Sequence, residues 1–297
     1  MPDVVIAGHY DIDAKRSAAA VERFGGKACS SPAALCDSAK AEAVFVCVPP
    51  NAHGDIEQAL IERGTHLFVE KPLALDAPKA KEIARGLRTR KLVGAAGYQW
   101  RYLDTVQRAR EALKGQCISL ARGWWHGGIP ESPWWQQFDA SGGQFFEQTT
   151  HVVDLLRVLC GEVREVYALG SRGCLPERAE YTIYDSTAVT MAFKSGAVGV
   201  VTATCVDDCG SRSGVELITP ERVVRIDDGV LTVREEGKTT TYTPTVDPLE
   251  EQARAFVDAV LGGKRTRIRS PYADAVKTLQ VGLAVNEAIA SGMPTRP

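Results

Sequence analysis

No Gly-x-Gly-x-x-Gly turn and no Cys-x-x-Cys pair occurs in this 297-residue chain, although it holds 27 glycines and 8 cysteines. The missing cysteine pair excludes a zinc ribbon and a thioredoxin-like redox motif. Cys29, Cys36, Cys47, Cys117, Cys160, Cys174, Cys205 and Cys209 are scattered through predicted strands and helices and read as small core residues. Cys205 and Cys209 flank Asp207 and Asp208 as the one close pair, and a turn between strands explains them without a metal. Charge of one sign is equally scarce: 35 Lys and Arg against 37 Asp and Glu give a net charge of -2. That balance excludes a global field for nucleic acid or an acidic membrane surface. No apolar run is long enough to span a bilayer, and the opening Met1-Pro2-Asp3-Val4 lacks the charged region and cleavage site of a signal peptide. The expected location is cytoplasmic.

What remains is a globular composition, 44% hydrophobic and 24% charged, at a length that favours two domains. Residues 1–102 alternate short apolar runs with helical patterns. Val4-Val5-Ile6-Ala7, Val44 to Val48, Leu67-Phe68-Val69 and Leu92 to Ala95 read as strands; Ala14 to Phe24, Asp55 to Arg63 and Pro78 to Arg88 read as helices. This predicts a doubly wound, Rossmann-like α/β domain. Residues 103–297 change rhythm. A linking helix from Asp104 to Lys114 and a helix from Phe145 to Leu159 precede three hairpins that turn at Lys194-Ser195-Gly196, Thr219-Pro220-Glu221 and Glu235 to Lys238. Helices from Leu249 to Leu261 and Tyr272 to Ser291 close an α+β domain with an open, mainly antiparallel sheet. In its first hairpin Val189, Met191 and Phe193 lie on one face with Thr190 and Ala192 on the other, while Val198, Val200 and Thr202 oppose Gly199, Val201 and Ala203. Neither face is polar at every second position, which predicts a homodimer or homotetramer through the sheet.

Glu70-Lys71-Pro72 follows the apolar run His66-Leu67-Phe68-Val69, setting a lysine at the carboxyl end of a buried strand, where open α/β sheets hold ligands. A partly buried lysine there can serve as base for a hydroxyl proton, and Pro72 fixes the turn that aims it inward. A solvated strand-end lysine is the alternative. Glu147 and His151, four apart in a helix, share one face. The histidine suits a proton relay or a substrate-hydroxyl ligand and the carboxylate its orienter; a structural histidine satisfied by its helix neighbour is the alternative, and no third ligand is spaced with the pair for a metal. Trp124, Trp125, Trp134 and Trp135 place four of the five tryptophans just before Gly142-Gly143. Aromatic faces suit sugar rings, so Trp124 and Trp135 are candidate substrate contacts, against core packing or a dimer contact. Gln99 and Arg101, in Tyr98-Gln99-Trp100-Arg101-Tyr102, are further candidates, Arg101 serving equally as an ion-pair partner at the domain junction.

Four segments together resemble the glucose-fructose oxidoreductase, inositol dehydrogenase and rhizopine-catabolism family (Gfo/Idh/MocA): Val48-Pro49-Pro50-Asn51-Ala52-His53; Glu70-Lys71-Pro72; Ser141 to Leu156; and Ser270-Pro271-Tyr272-Ala273-Asp274 with Ala284-Val285-Asn286-Glu287. The resemblance implies an NAD(P)-dependent dehydrogenase or reductase of a sugar, cyclitol or related polyol, with the two-domain fold read above and a subunit interface on the open sheet. It implies Lys71, His151 and Glu147 as catalytic residues, although the family's usual Asp-x-Gly-x-His stands here as Glu147-Gln148-Thr149-Thr150-His151. Cofactor contacts are implied at Pro49, Asn51, His53, Glu70 and Lys71; helix capping by Asn51 explains its segment without one. Val4 to Ala7, ending in Asp11, looks like the family's second strand and its ribose-binding acid, which favours NAD because a carboxylate repels the 2′-phosphate of NADP. The first strand, glycine turn and first helix are then expected to be missing, either because the natural start lies upstream or because the chain is short, and the grip on a pyrophosphate is expected to be weaker. A second expectation stays open: a family-derived protein with lost dinucleotide binding, acting as a non-redox sugar-active enzyme or a binding subunit.

Overall fold

The computed structural model describes residue 1 and residues 3–175 and 180–297. The first part runs β1 (Gly8–His9), α1 (Ala14–Phe24), β2 (Lys27–Ala28), α2 (Pro32–Asp37), β3 (Ala43–Val46), α3 (Asp55–Glu62), β4 (His66–Val69), α4 (Ala77–Thr89) and β5 (Gly94–Ala96). Side chains start three of these helices by accepting from orphan amides: Asp13 from Lys15, Ser31 from Ala34 and Asp76 from Lys79. β3, β4 and β5 pair in parallel in that order, and the burial of Leu67, Phe68 and Val69 is that of a strand covered on both faces.

The strand expected at Val4–Ala7 is not formed; the strand is Gly8–His9, paired with β2 alone. Between the open edges of β1 and β3 runs a slot of about 760 Å3, lined mainly by residues 3–11 and 39–45. A β-branched run becomes a strand only where a ladder receives it, and here Val5 is left 89% exposed. In a doubly wound sheet of order 3-2-1-4-5-6 the first strand lies between the second and the fourth, so the slot occupies that place and the domain is a shortened Rossmann-like one.

The second part holds α5 (Asp104–Leu113), β6 (Leu120–His126), α6 (Phe138–Ser141), α7 (Gln144–Glu147), α8 (Thr150–Cys160), β7 (Val163–Ser171), β8 (Ser186–Phe193), β9 (Val198–Thr204), β10 (Arg212–Ile218), β11 (Arg222–Asp227), β12 (Val230–Glu235) and β13 (Lys238–Tyr242). They form one eight-stranded sheet, β13-β12-β11-β10-β6-β9-β8-β7, antiparallel except where β6 lies parallel to β9. The strands β6 and β7 were not foreseen, and β6 is what joins the hairpins into one sheet. The register Val189↔Val201 and Met191↔Gly199 puts those residues on the inner face, with Thr190, Val198 and Val200 outside. Gly123 of β6 meets α8 so closely that a Cβ would stand 2.5 Å from the Val152 side chain. The single helix expected from Phe145 to Leu159 is two, α7 and α8, interrupted at Gln148 and Thr149.

Two closing helices, α9 (Pro248–Val260) and α10 (Tyr272–Ser291), return across the 102/103 boundary. Phe256 of α9 packs on Phe68 of β4, ring centroids 5.8 Å apart, and α10 lends Tyr272 and Leu279 to the first core and Val281 and Val285 to the second. A buried ion network pins the junction. Arg101 donates from Nε and Nη2 to the Asp154 carboxylate at 2.6 and 2.5 Å and pairs with Asp274 of α10 at 2.8 Å. Thr278 donates to Asp154 and accepts from Arg157, both at 2.7 Å. Burial alone would raise the Asp274 carboxyl, but Arg101 and Arg157 outweigh it and hold its pKa below the ordinary value. Removing one partner leaves a buried charge uncompensated, so Asp154→Asn is expected to lower the unfolding free energy by about 3 kcal/mol. Urea denaturation checks this; an unchanged midpoint would show that the junction does not rest on the pair.

Candidate active site

Lys71 leaves the carboxyl end of β4, Glu147 ends the four-residue helix α7, and His151 stands in the first turn of α8. These elements bring together what 76 residues of sequence separate: the Lys71 ammonium donates to Glu147 Oε1 and, at 3.0 Å, to the Glu147 main-chain oxygen. Trp135 Nε1–H donates to the other carboxylate oxygen at 2.8 Å. Both oxygens of Glu147 are therefore engaged, and of the three N–H groups of an ammonium one is left for a ligand. The pair is nearly closed off, with side chains 15% and 11% exposed for Lys71 and Glu147.

His151 is buried in an aromatic stack. Trp100 and Trp125 lie near-parallel to it at centroid distances of 5.7 and 5.9 Å, and Tyr98 meets it edge-on at 6.0 Å. Nδ1 has no hydrogen-bond partner among the described residues. Burial, and then the nearby Lys71 charge, hold the His151 pKa well below its ordinary value of 6.5, so the ring is neutral at neutral pH. A cationic donor beside a neutral imidazole can polarise an oxygen and move its proton.

The residues expected at a cofactor gather less evenly. Pro49 and Asn51 lie in the short turn after β3, against which α6 packs. His53 is buried, its Nδ1 2.5 Å from Glu57 Oε1, while Nε2 lacks a partner among the described residues. The start of α3 is capped by Glu57, which accepts from Gly54 N, so Asn51 is not its cap. Glu70 lays its carboxylate on Gly97, where a Cβ would stand 2.5 Å from Oε2; burial, partly offset by Lys71, raises its pKa. Asp11 borders the slot and accepts from Asp13 N at 2.8 Å.

Of the expected substrate contacts, Gln99 opens the turn that carries Trp100 to His151, and Arg101 is committed to Asp154 and Asp274. Trp124 faces the other side of the sheet, with Arg225 5.0 Å over its ring, and Trp135 is 2% exposed behind Glu147. Trp125, from the tryptophan window read as a candidate substrate wall, and Trp100, which was not a candidate, are the indoles that reach His151. Alternation along β6 holds the missing signal for Trp125: Arg122 points outward, which sends Trp124 outward and Trp125 inward.

Comparison with known proteins bears on the family and the fold. A family model described as the GFO/IDH/MocA oxidoreductase family with an NAD-binding Rossmann fold matches residues 1–98, and one for the GFO/IDH/MocA C-terminal domain matches residues 108–224. The chain is 31% identical to an uncharacterised protein of Schizosaccharomyces pombe, UNK4.17, over 84% of this chain and 70% of that one. It is 28% identical to myo-inositol 2-dehydrogenase of Thermotoga maritima, over 67% of this chain but only 60% of the relative. A levoglucosan dehydrogenase structure with NADH and levoglucosan superposes with a TM-score of 0.84 at 21% identity, covering 97% of this chain and 89% of that one, a likeness of fold.

The lowered pKa of His151 links to stability with a definite sign. As pH falls below about 6.5 the unfolded chain takes the proton first, so the folded state loses up to about 1.4 kcal/mol per pH unit. His66 and His126, lowered chiefly by burial, act in the same direction. Thermal melts from pH 7 to pH 5 should show a steeper fall for the wild type than for His151→Gln; equal slopes would show that the ring is not held neutral.

Proposed function

The chain belongs to the GFO/IDH/MocA oxidoreductase family, and from that premise we propose that it moves a hydride between NAD and a secondary alcohol of a sugar, cyclitol or related polyol. One observation carries the reading: Lys71, Glu147 and His151, from two domains, meet at the carboxyl end of a parallel strand, the end at which open α/β sheets act. The myo-inositol and levoglucosan dehydrogenases among the similar proteins support the substrate class.

The residues fit NAD at its nicotinamide side. The orphaned His53 Nε2 awaits a polar ligand atom, and Pro49, Asn51 and Glu70 stand at the neighbouring strand ends. Asp11 is placed for ribose hydroxyls and favours NAD over NADP. At the pyrophosphate side the fit is poorer, because among the described residues no glycine turn leads into a helix N-terminus at the slot between β1 and β3. NAD, when bound, supplies the hydride acceptor. Lys71 holds the substrate oxygen through its remaining N–H, neutral His151 takes the hydroxyl proton, and Glu147 keeps the ammonium in place. Trp100 and Trp125 offer an apolar wall to a sugar or cyclitol ring and keep water from it.

Lys71→Met keeps the side chain's bulk and removes its charge and protons. Turnover of the responding polyol should fall about 10²–10⁴-fold with the circular-dichroism spectrum unchanged, and undiminished kcat/KM would remove Lys71 from the mechanism.

The same reading extends to assembly. The outer face of the sheet carries Leu169, Val198, Val200 and Tyr167 at 60%, 53%, 41% and 38% exposure, adjoining Thr190, Ala188 and Thr202. The apolar patch is confined to the β7–β9 end, bordered at Val200 by Arg122 and its partner Glu216; a patch of this kind is one that monomers avoid, and it pairs with its copy in a second subunit. Size-exclusion chromatography with light scattering at micromolar concentration should give at least a dimer; a stable monomer would refute it.

A further inference from the structure

Trp135 lies behind the catalytic pair, and its one polar atom is spent on it. Its ring is 2% exposed, so it does not form a wall against substrate. Its Nε1–H, the only hydrogen-bonding group of an indole, donates to Glu147 Oε2 while Lys71 donates to Oε1. Glu147 ends a helix of only four residues, which is interrupted at Gln148 and Thr149, so its own helix does little to fix a carboxylate carried on three rotatable bonds. Trp135, by contrast, is anchored. The turn that carries it accepts from Thr182 N through Gln136 O at 3.0 Å, and Phe138 N donates to Thr182 Oγ1 at 2.7 Å. Its ring packs on Ile183 and Cys205, and Tyr181, beside them, donates to Asp185 at 2.8 Å. The rigidity of the sheet end near β9 thus reaches Glu147 through one indole.

We propose that Trp135 is a positioning residue: it holds the Glu147 carboxylate in the orientation that presents the Lys71 ammonium to the reacting oxygen. A neutral donor suits the task. An arginine or lysine in its place would compete with Lys71 for the carboxylate charge, whereas an indole N–H restrains the carboxylate and leaves that charge to Lys71. The kinetic half of this inference rests on the oxidoreductase reading; the contact itself does not.

Two measurements separate them. With 15N-labelled tryptophan, the indole N–H resonance that disappears in Trp135→Phe belongs to Trp135, and in Glu147→Gln that resonance should move upfield as a charged acceptor becomes a neutral one. An unmoved resonance overturns the contact, whether or not any substrate is known. In steady-state assays Trp135→Phe, which keeps an aromatic ring and loses the donor, should lower kcat about tenfold or more with KM for polyol and NAD within about twofold. Trp135→His, smaller but carrying a ring N–H, should recover part of kcat. Trp135→Phe with full kcat, or with His worse than Phe, shows that the site needs only bulk and overturns the positioning role. Failure of the wild type to oxidise any polyol would overturn the oxidoreductase reading, while the resonance comparison would still decide the contact.

Discussion

The Lys71–Glu147 ion pair joins the two domains at the proposed site. Lys71 belongs to the parallel sheet and Glu147 to the helices that pack on the antiparallel one, so their bond exists only at one relative placement of the two parts. An ammonium held this way cannot drift with a flexible four-carbon stem; its third N–H has a fixed origin. The aromatic stack around His151 imposes the same condition independently, because Trp100 comes from the end of the first domain and Trp125 from β6 of the second.

Such a placement needs support away from the site, and the Arg101–Asp154–Asp274 network gives it. Two buried charges are costly to desolvate, and their attraction offsets that cost only when geometry is good and further hydrogen bonds complete the shell. Arg101 meets the condition with both carboxylates and the Arg269 carbonyl. Asp154 meets it with Arg101 and Thr278. Because Asp154 lies three residues after His151 on α8, the network that locks the junction also orients the helix that carries the imidazole. Arg101, which sequence offered as a substrate contact or equally as an ion-pair partner at the domain junction, is that ion-pair partner.

How much of this was legible in sequence depended on whether a local pattern implied a direction. Lys71 was legible because an apolar run followed by a proline places a strand end, and Glu147 with His151 because a spacing of four places two side chains on one helical face. The helix proved to be two, but the interruption at Gln148 and Thr149 still leaves both side chains beside Lys71. Trp124 and Trp125 were adjacent and indistinguishable until β6 was seen as a strand, after which alternation separates them by sheet face. Residues 4–7 misled for the opposite reason: their composition suits a strand, but a strand is a property of a pair, and the partner edge is absent. The Trp135 contact was invisible to any local pattern, since it depends on Thr182 anchoring a loop from elsewhere in the chain.

The slot and the Lys71–Glu147–His151 cluster are separate structures, and that separation decides what the incomplete parallel sheet affects. The slot is lined by residues 3–11, 16, 17, 20, 35, 39–45 and the end of α9. The cluster is built on the end of β4, the Trp100 turn, β6, α7, α8 and the Trp135 loop, none of which borders the slot. On the proposed reading a dinucleotide's pyrophosphate would lie at the slot between β1 and β3, away from Lys71, Glu147 and His151. On the same reading a weakness there would act on cofactor affinity, which sets how much of the protein is loaded, and not on the geometry of Lys71, Glu147 and His151 in the loaded fraction.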